Sequence, residues 1–132
     1  MTETVGVILR LSGVAVSQDV LKEALGFPVS LGRGRRTGDD DLYASIELTE
    51  EDEKLDWDAL LTKLDRLVEP LSVLVKEGAV AQEPKLDIGL PFYTGAMGAW
   101  VMLPPEICAL AGRNGIAIII SYYLTQEDDD AG

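Results

Sequence analysis

Between Trp57 and Val75 the apolar residues Trp57, Leu60, Leu61, Leu64, Leu67, Val68, Leu71, Leu74 and Val75 recur with i, i+3, i+4, i+7 spacing. That spacing puts them on one stripe of a long helix. A helix with one apolar stripe has to bury it against another element, so the chain needs a second layer. Asp56 stands just before the stripe as an N-cap candidate, and Lys76 and Gly78 stand at its end as C-terminal signals. Pro70 lies inside the stripe. Proline has no N–H to donate and clashes with the preceding turn, which predicts a kink near Arg66–Glu69 or a restart at Pro70.

The second layer is legible in segments with period two. In Thr4–Leu11, Val5, Val7, Leu9 and Leu11 share one face, and Thr4, Gly6 and Arg10 lie on the other. In Asp41–Leu48, Leu42, Ala44, Ile46 and Leu48 alternate with Tyr43, Ser45 and Glu47. A third strand is expected around Leu86, Ile88 and Leu90, and a fourth over Ala99–Leu103, ended by Pro104. The run GIAIIISYYL is apolar on both faces, which predicts a central strand. A short helix is expected after Ser17, stopping at Gly26. Another is expected from the Pro104–Pro105 pair to Asn114–Gly115. Thr49 with Asp52 offers a further capping box. Helices on one face of a mixed, mainly antiparallel sheet satisfy all these stripes. The expected fold is therefore α+β, an open sandwich related to ferredoxin-like folds.

The 132 residues suit one domain, expected over residues 1–125, with 126–132 as an acidic, solvated and disordered tail. One cysteine, Cys108, rules out an internal disulfide, and on a short helix it is expected to be buried and inert. The N-terminus lacks a basic region followed by an apolar run, and no segment is apolar enough to span a bilayer. A cytoplasmic protein is expected. With 23 acidic and 11 basic residues the net charge is −12, which disfavours nucleic acid and anionic membranes and favours a basic partner.

Histidine is absent, which removes Ser–His and Cys–His nucleophile pairs and the commonest transition-metal ligand. No cofactor or metal site is expected, and no catalytic residue is assigned. A carboxylate-dependent hydrolase stays open only if two acids converge in one cleft. The loop GRGRRTGDDD, Gly32–Asp41, is neither a phosphate loop nor a dinucleotide fingerprint. It has no lysine, its last glycine comes one place late, and a strand follows it rather than a helix. Arg33, Arg35 and Arg36 could hold a carboxylate or phosphate, or could pair with Asp39, Asp40 and Asp41. Those three aspartates lack calcium-loop spacing. The segment PFYTGAMG reads as a turn-rich contact loop, with Phe92, Tyr93 and Met97 as its apolar anchors. Trp57 and Trp100 read as core.

Three stretches, LKEALGFP, RRTGD and LPPEICALAGRNGIAIIISYY, resemble a family of small bacterial domains of unknown function. Some such small acidic domains resemble immunity proteins, which block a co-encoded toxin. The resemblance implies a fold and no particular chemistry. With the small size, the acidity and the absence of histidine, it leads to the expectation of a non-enzymatic interaction protein, with an immunity-type neutraliser of a basic partner as its most specific form. A small-ligand or anion-binding domain built on the arginine–glycine loop is the alternative. Self-association to a homodimer through a sheet edge is compatible with either.

Overall fold

The computed structural model describes residues 6–33, 42–49, 55–93 and 101–125. Along the chain run β1 (Gly6–Leu11), α1 (Gln18–Leu25), β2 (Ser30–Arg33), β3 (Leu42–Glu47) and α2 (Trp57–Lys76), then β4 (Lys85–Tyr93), α3 (Pro105–Arg113) and β5 (Ala117–Thr125). The five strands form one sheet in the order β2-β3-β1-β4-β5. All neighbours are antiparallel except β4 and β5, which are parallel. The first six elements thus follow the split βαβ order of ferredoxin-like folds, and α3 with β5 extends the sheet beyond β4. The expected α+β architecture is the one observed.

The helix boundaries have chemical causes. Ser17 Oγ accepts from the Val20 N–H at 3.3 Å and opens α1. Gly26 closes it with φ 74°, in the left-handed region that favours glycine. Asp56 Oδ1 accepts from the N–H groups of Asp58 at 3.0 Å and Ala59 at 3.3 Å and opens α2. The expected capping box of Thr49 with Asp52 falls partly outside the described residues, and what is described of Thr49 is a different contact. Its Oγ1 accepts from the Val7 N–H at 3.0 Å and ties β3 to the start of β1.

The helices cover one face of the sheet. Val7, Leu9 and Leu11 of β1, Ala44 and Ile46 of β3, and Leu86, Ile88 and Leu90 of β4 are all buried on that face. They share one core with Leu21 and Leu25 of α1, five leucines of α2, and Ile107 and Leu110 of α3.

Four expectations need correction. First, the helix does not restart at Pro70: α2 is one helix of twenty residues with the proline inside it. Leu60, Leu64, Leu67, Leu71 and Leu74 are all buried, at about 1.5–3 kcal/mol each, which outweighs the roughly 3 kcal/mol that an interior proline costs. Second, Val101–Leu103 is not a strand. Val101 and Leu103 pack against the core while Met102 is 73% exposed, and Pro104 and Pro105 bring no N–H for a ladder. Third, β5 is an edge strand, not a central one. Its parallel pairing with β4 fits its two-sided apolarity, yet Ala117–Ser121 are only half-buried. Fourth, Cys108 is exposed, because α3 turns Ile107, Leu110 and Ala111 to the core instead.

Strand β2 was not expected. It is four residues long, and Leu31 faces Ala44 across the β2–β3 pair.

Candidate functional site

The face away from the helices carries the polar side chains. Strand register sets its rows. One row reads Ser30, Ser45, Arg10, Lys85 and Ala117 across β2, β3, β1, β4 and β5. The next reads Glu47, Ile8, Asp87 and Ile119. These side chains share a face because side chains alternate along a strand and register aligns neighbours.

Asp87 is the buried charged residue among those described, at 9% exposure. A buried carboxylate needs partners, and it has two. Arg10 Nε donates to its Oδ2 at 2.8 Å, and Ser121 Oγ donates to its Oδ1 at 2.6 Å. The three residues come from three adjacent strands, so the network stitches β1, β4 and β5 together. The Arg10 side chain is 47% exposed, so the pair sits at the solvent boundary. Next to the network, a Cβ built on Gly89 would stand 3.5 Å from the Tyr123 ring, which therefore lies against the glycine backbone.

Beside Arg10 the face is concave. A hollow of about 290 Å³ is bordered by Arg10, Ser12, Tyr43, Ser45 and Lys85. Arg10 and Lys85 face each other across β1 and β4, two cations side by side in an acidic chain. Further hollows lie among the described residues. One of about 570 Å³ lies by Ser30, Glu47, Thr49 and Lys63, where Lys63 Nζ already donates to the Leu48 carbonyl at 2.8 Å. One of about 400 Å³ lies between the ends of α2 and α3, with Lys76, Arg113 and Glu83 on its rim.

Those of the expected contact residues that are described fall at opposite ends of the sheet. Arg33 ends β2, opposite Leu42 at the start of β3. Phe92 and Tyr93 end β4, opposite Leu124 and Thr125. Through the shared Ser30–Ser45–Arg10–Lys85 row, the two ends lie roughly 33–36 Å apart along the strand direction at about 3.3 Å per residue. Arg35, Arg36, Met97, Trp100, the aspartates 39–41, Asp52 and the tail 126–132 lie outside the described residues. Trp57 is partly buried and packs against the core, as its place on the stripe implied. Among the described residues, no three potential metal ligands cluster. No described helix is long and apolar enough to cross a membrane.

Sequence reasoning missed the Arg10–Asp87–Ser121 network. Its signal was present: a lone aspartate in the apolar alternation Leu86–Leu90, and an arginine in the alternation of β1. What joins them is register, which separate strand patterns do not specify.

No family model matches this chain, and neither a curated protein nor a solved structure matches it.

Proposed function

We propose that this chain is a non-enzymatic interaction protein that binds a basic protein partner. An immunity-type neutraliser of a basic toxin is the form that the resemblance noted above suggests. One observation carries the reading. β3, β4 and β5 run in the same direction, so the chain leaves all three at one end of the sheet. In sequence the residues that follow are Glu50–Glu53 after β3, Thr94–Trp100 after β4, and Glu127–Asp130 after β5. Two acidic runs and the segment containing Met97 are thus attached to the end where Phe92 and Tyr93 stand. Acidic residues there would speed encounter with a basic surface, and aromatic anchors would set the lifetime of the complex.

The test begins with affinity capture from the native host and identification of a stoichiometric basic protein. Its association rate with the purified chain is then measured between low and moderate salt. The rate is expected to fall about tenfold or more, because exposed charges are screened within about 10 Å at 0.1 M ionic strength. Replacing Glu50, Glu51, Asp52 and Glu53 by their amides should lower the rate in the same direction. Phe92→Ala with Tyr93→Ala should instead raise the dissociation rate. A salt-independent association rate would overturn the electrostatic reading.

A further inference from the structure

We propose that the hollow beside Arg10 and Lys85 on the helix-free face binds the carboxylate of a small, flat monoanion, with Tyr43 as the wall for its apolar body. This site differs in place and partner class from the protein-binding end of the sheet, and it does not depend on that reading.

Four observations lead to it. Arg10 and Lys85 are direct cross-strand partners, a like-charge pairing that is unfavourable unless an anion lies between or beside them. Asp87 answers only part of this charge. It takes the Nε–H of Arg10, and among the described residues no acceptor lies on the Arg10 Nη groups or on Lys85 Nζ. The same contact restrains Arg10, so less side-chain entropy is lost when a ligand arrives. Finally, the two cations border a concavity rather than a flat surface, with Ser12 and Ser45 beside them and Tyr43, 43% exposed, on its border.

The ligand class follows from charge, shape and size. A guanidinium presents a planar donor fork that matches a carboxylate. A net charge of −12 penalises a dianion more than a monoanion, which favours a carboxylate over a phosphate. About 290 Å³ lies at the lower end of ligand-site volumes, so the occupant is of fragment size. An aromatic ring on the ligand would lie against Tyr43.

The two further hollows described above compete less well. At the first, Lys63 already serves a backbone carbonyl. At the second, Lys76 and Arg113 each sit in the last turn of a helix, where the dipole holds cations, and Glu83 shares the rim.

The probe is benzoate, titrated into the full chain and followed by amide chemical shifts. Saturable shifts are expected around Arg10, Tyr43, Ser45 and Lys85, with a dissociation constant on the order of 1 mM for a fragment of this size. Benzamide, which has the shape without the charge, should bind at least about tenfold more weakly, the factor that roughly 1.4 kcal/mol carries. Lys85→Gln should weaken benzoate binding by a similar factor while the melting temperature stays close to that of the parent. Tyr43→Ser should weaken benzoate more than acetate. The proposal is overturned if benzoate gives no saturable shifts at this face, or if benzamide binds equally well. It is also overturned if Lys85→Gln leaves affinity unchanged, or if inorganic phosphate occupies the same residues as tightly as benzoate.

Discussion

The same strands present two faces of opposite character. On the helix-covered face Leu9, Ile46, Leu86 and Ile88 are fully buried and belong to one apolar core. On the other face, one residue along, Arg10, Ser45, Lys85 and Asp87 meet across strand boundaries. The covered face is held by area removed from water, which asks only that a residue be apolar and of suitable size. The open face is held by pairings, which require particular residues at particular register positions. The two faces should therefore respond differently to substitution.

The largest effect belongs to the covered face. Ile88 of β4 is fully buried beneath the helices. Ile88→Ala removes buried methyl groups and leaves a cavity in a close-packed core. A loss of about 2–5 kcal/mol is expected in urea unfolding, from a shifted midpoint at constant slope. A loss under 1 kcal/mol would mean that this face is not packed as described.

Asp87 comes next, one residue away on the other face. Asp87→Ala leaves Ser121 without its acceptor and Arg10 without its counter-charge. Arg10 is half in solvent and can rehydrate, so the expected cost is about 1–3 kcal/mol rather than that of a deeply buried charge. A double-mutant cycle with Ser121→Ala checks the mechanism. The two effects should be non-additive by about 0.5 kcal/mol or more, whereas additivity would mean that the 2.6 Å contact contributes nothing.

This contrast explains what was legible in the sequence. Period-two alternation in β1, β3 and β4 and the leucine stripe of α2 gave the buried face almost residue by residue, because burial is a one-dimensional pattern. The caps at Ser17 and Asp56 and the stop at Gly26 were equally local and equally legible. Tertiary competition was not. Pro70 permits a restart, and only the sum over five buried leucines keeps the helix continuous through it. The run of isoleucines in β5 signals burial on both sides, but whether a strand lies at the edge depends on topology, and the appended α3–β5 unit puts it there. Cys108 was placed by residue type, when the helical phase of Ile107, Leu110 and Ala111 turns it outward. On the open face the residues were visible but their meetings were not. Arg10 lies 77 positions from Asp87, and Asp87 lies 34 from Ser121.

The smallest effect on stability should come from Tyr43, and it separates the two faces most sharply. Tyr43 belongs to β3, an interior strand, yet its ring points away from the helices and is half in solvent. Its neighbour Gly32 on β2 has no side chain to pack against it. Tyr43→Ser therefore forfeits strand propensity and a little apolar contact, about 1 kcal/mol or less. The melting temperature should move by only a few degrees for a domain of this size. If Tyr43 serves the open face as the wall of a ligand site, the same substitution should weaken benzoate binding severalfold. A variant that keeps its fold and loses the ligand would assign the residue to binding rather than to stability. A variant that melts several kcal/mol early would instead make Tyr43 part of the core, and the division between the two faces would have to be redrawn at β3.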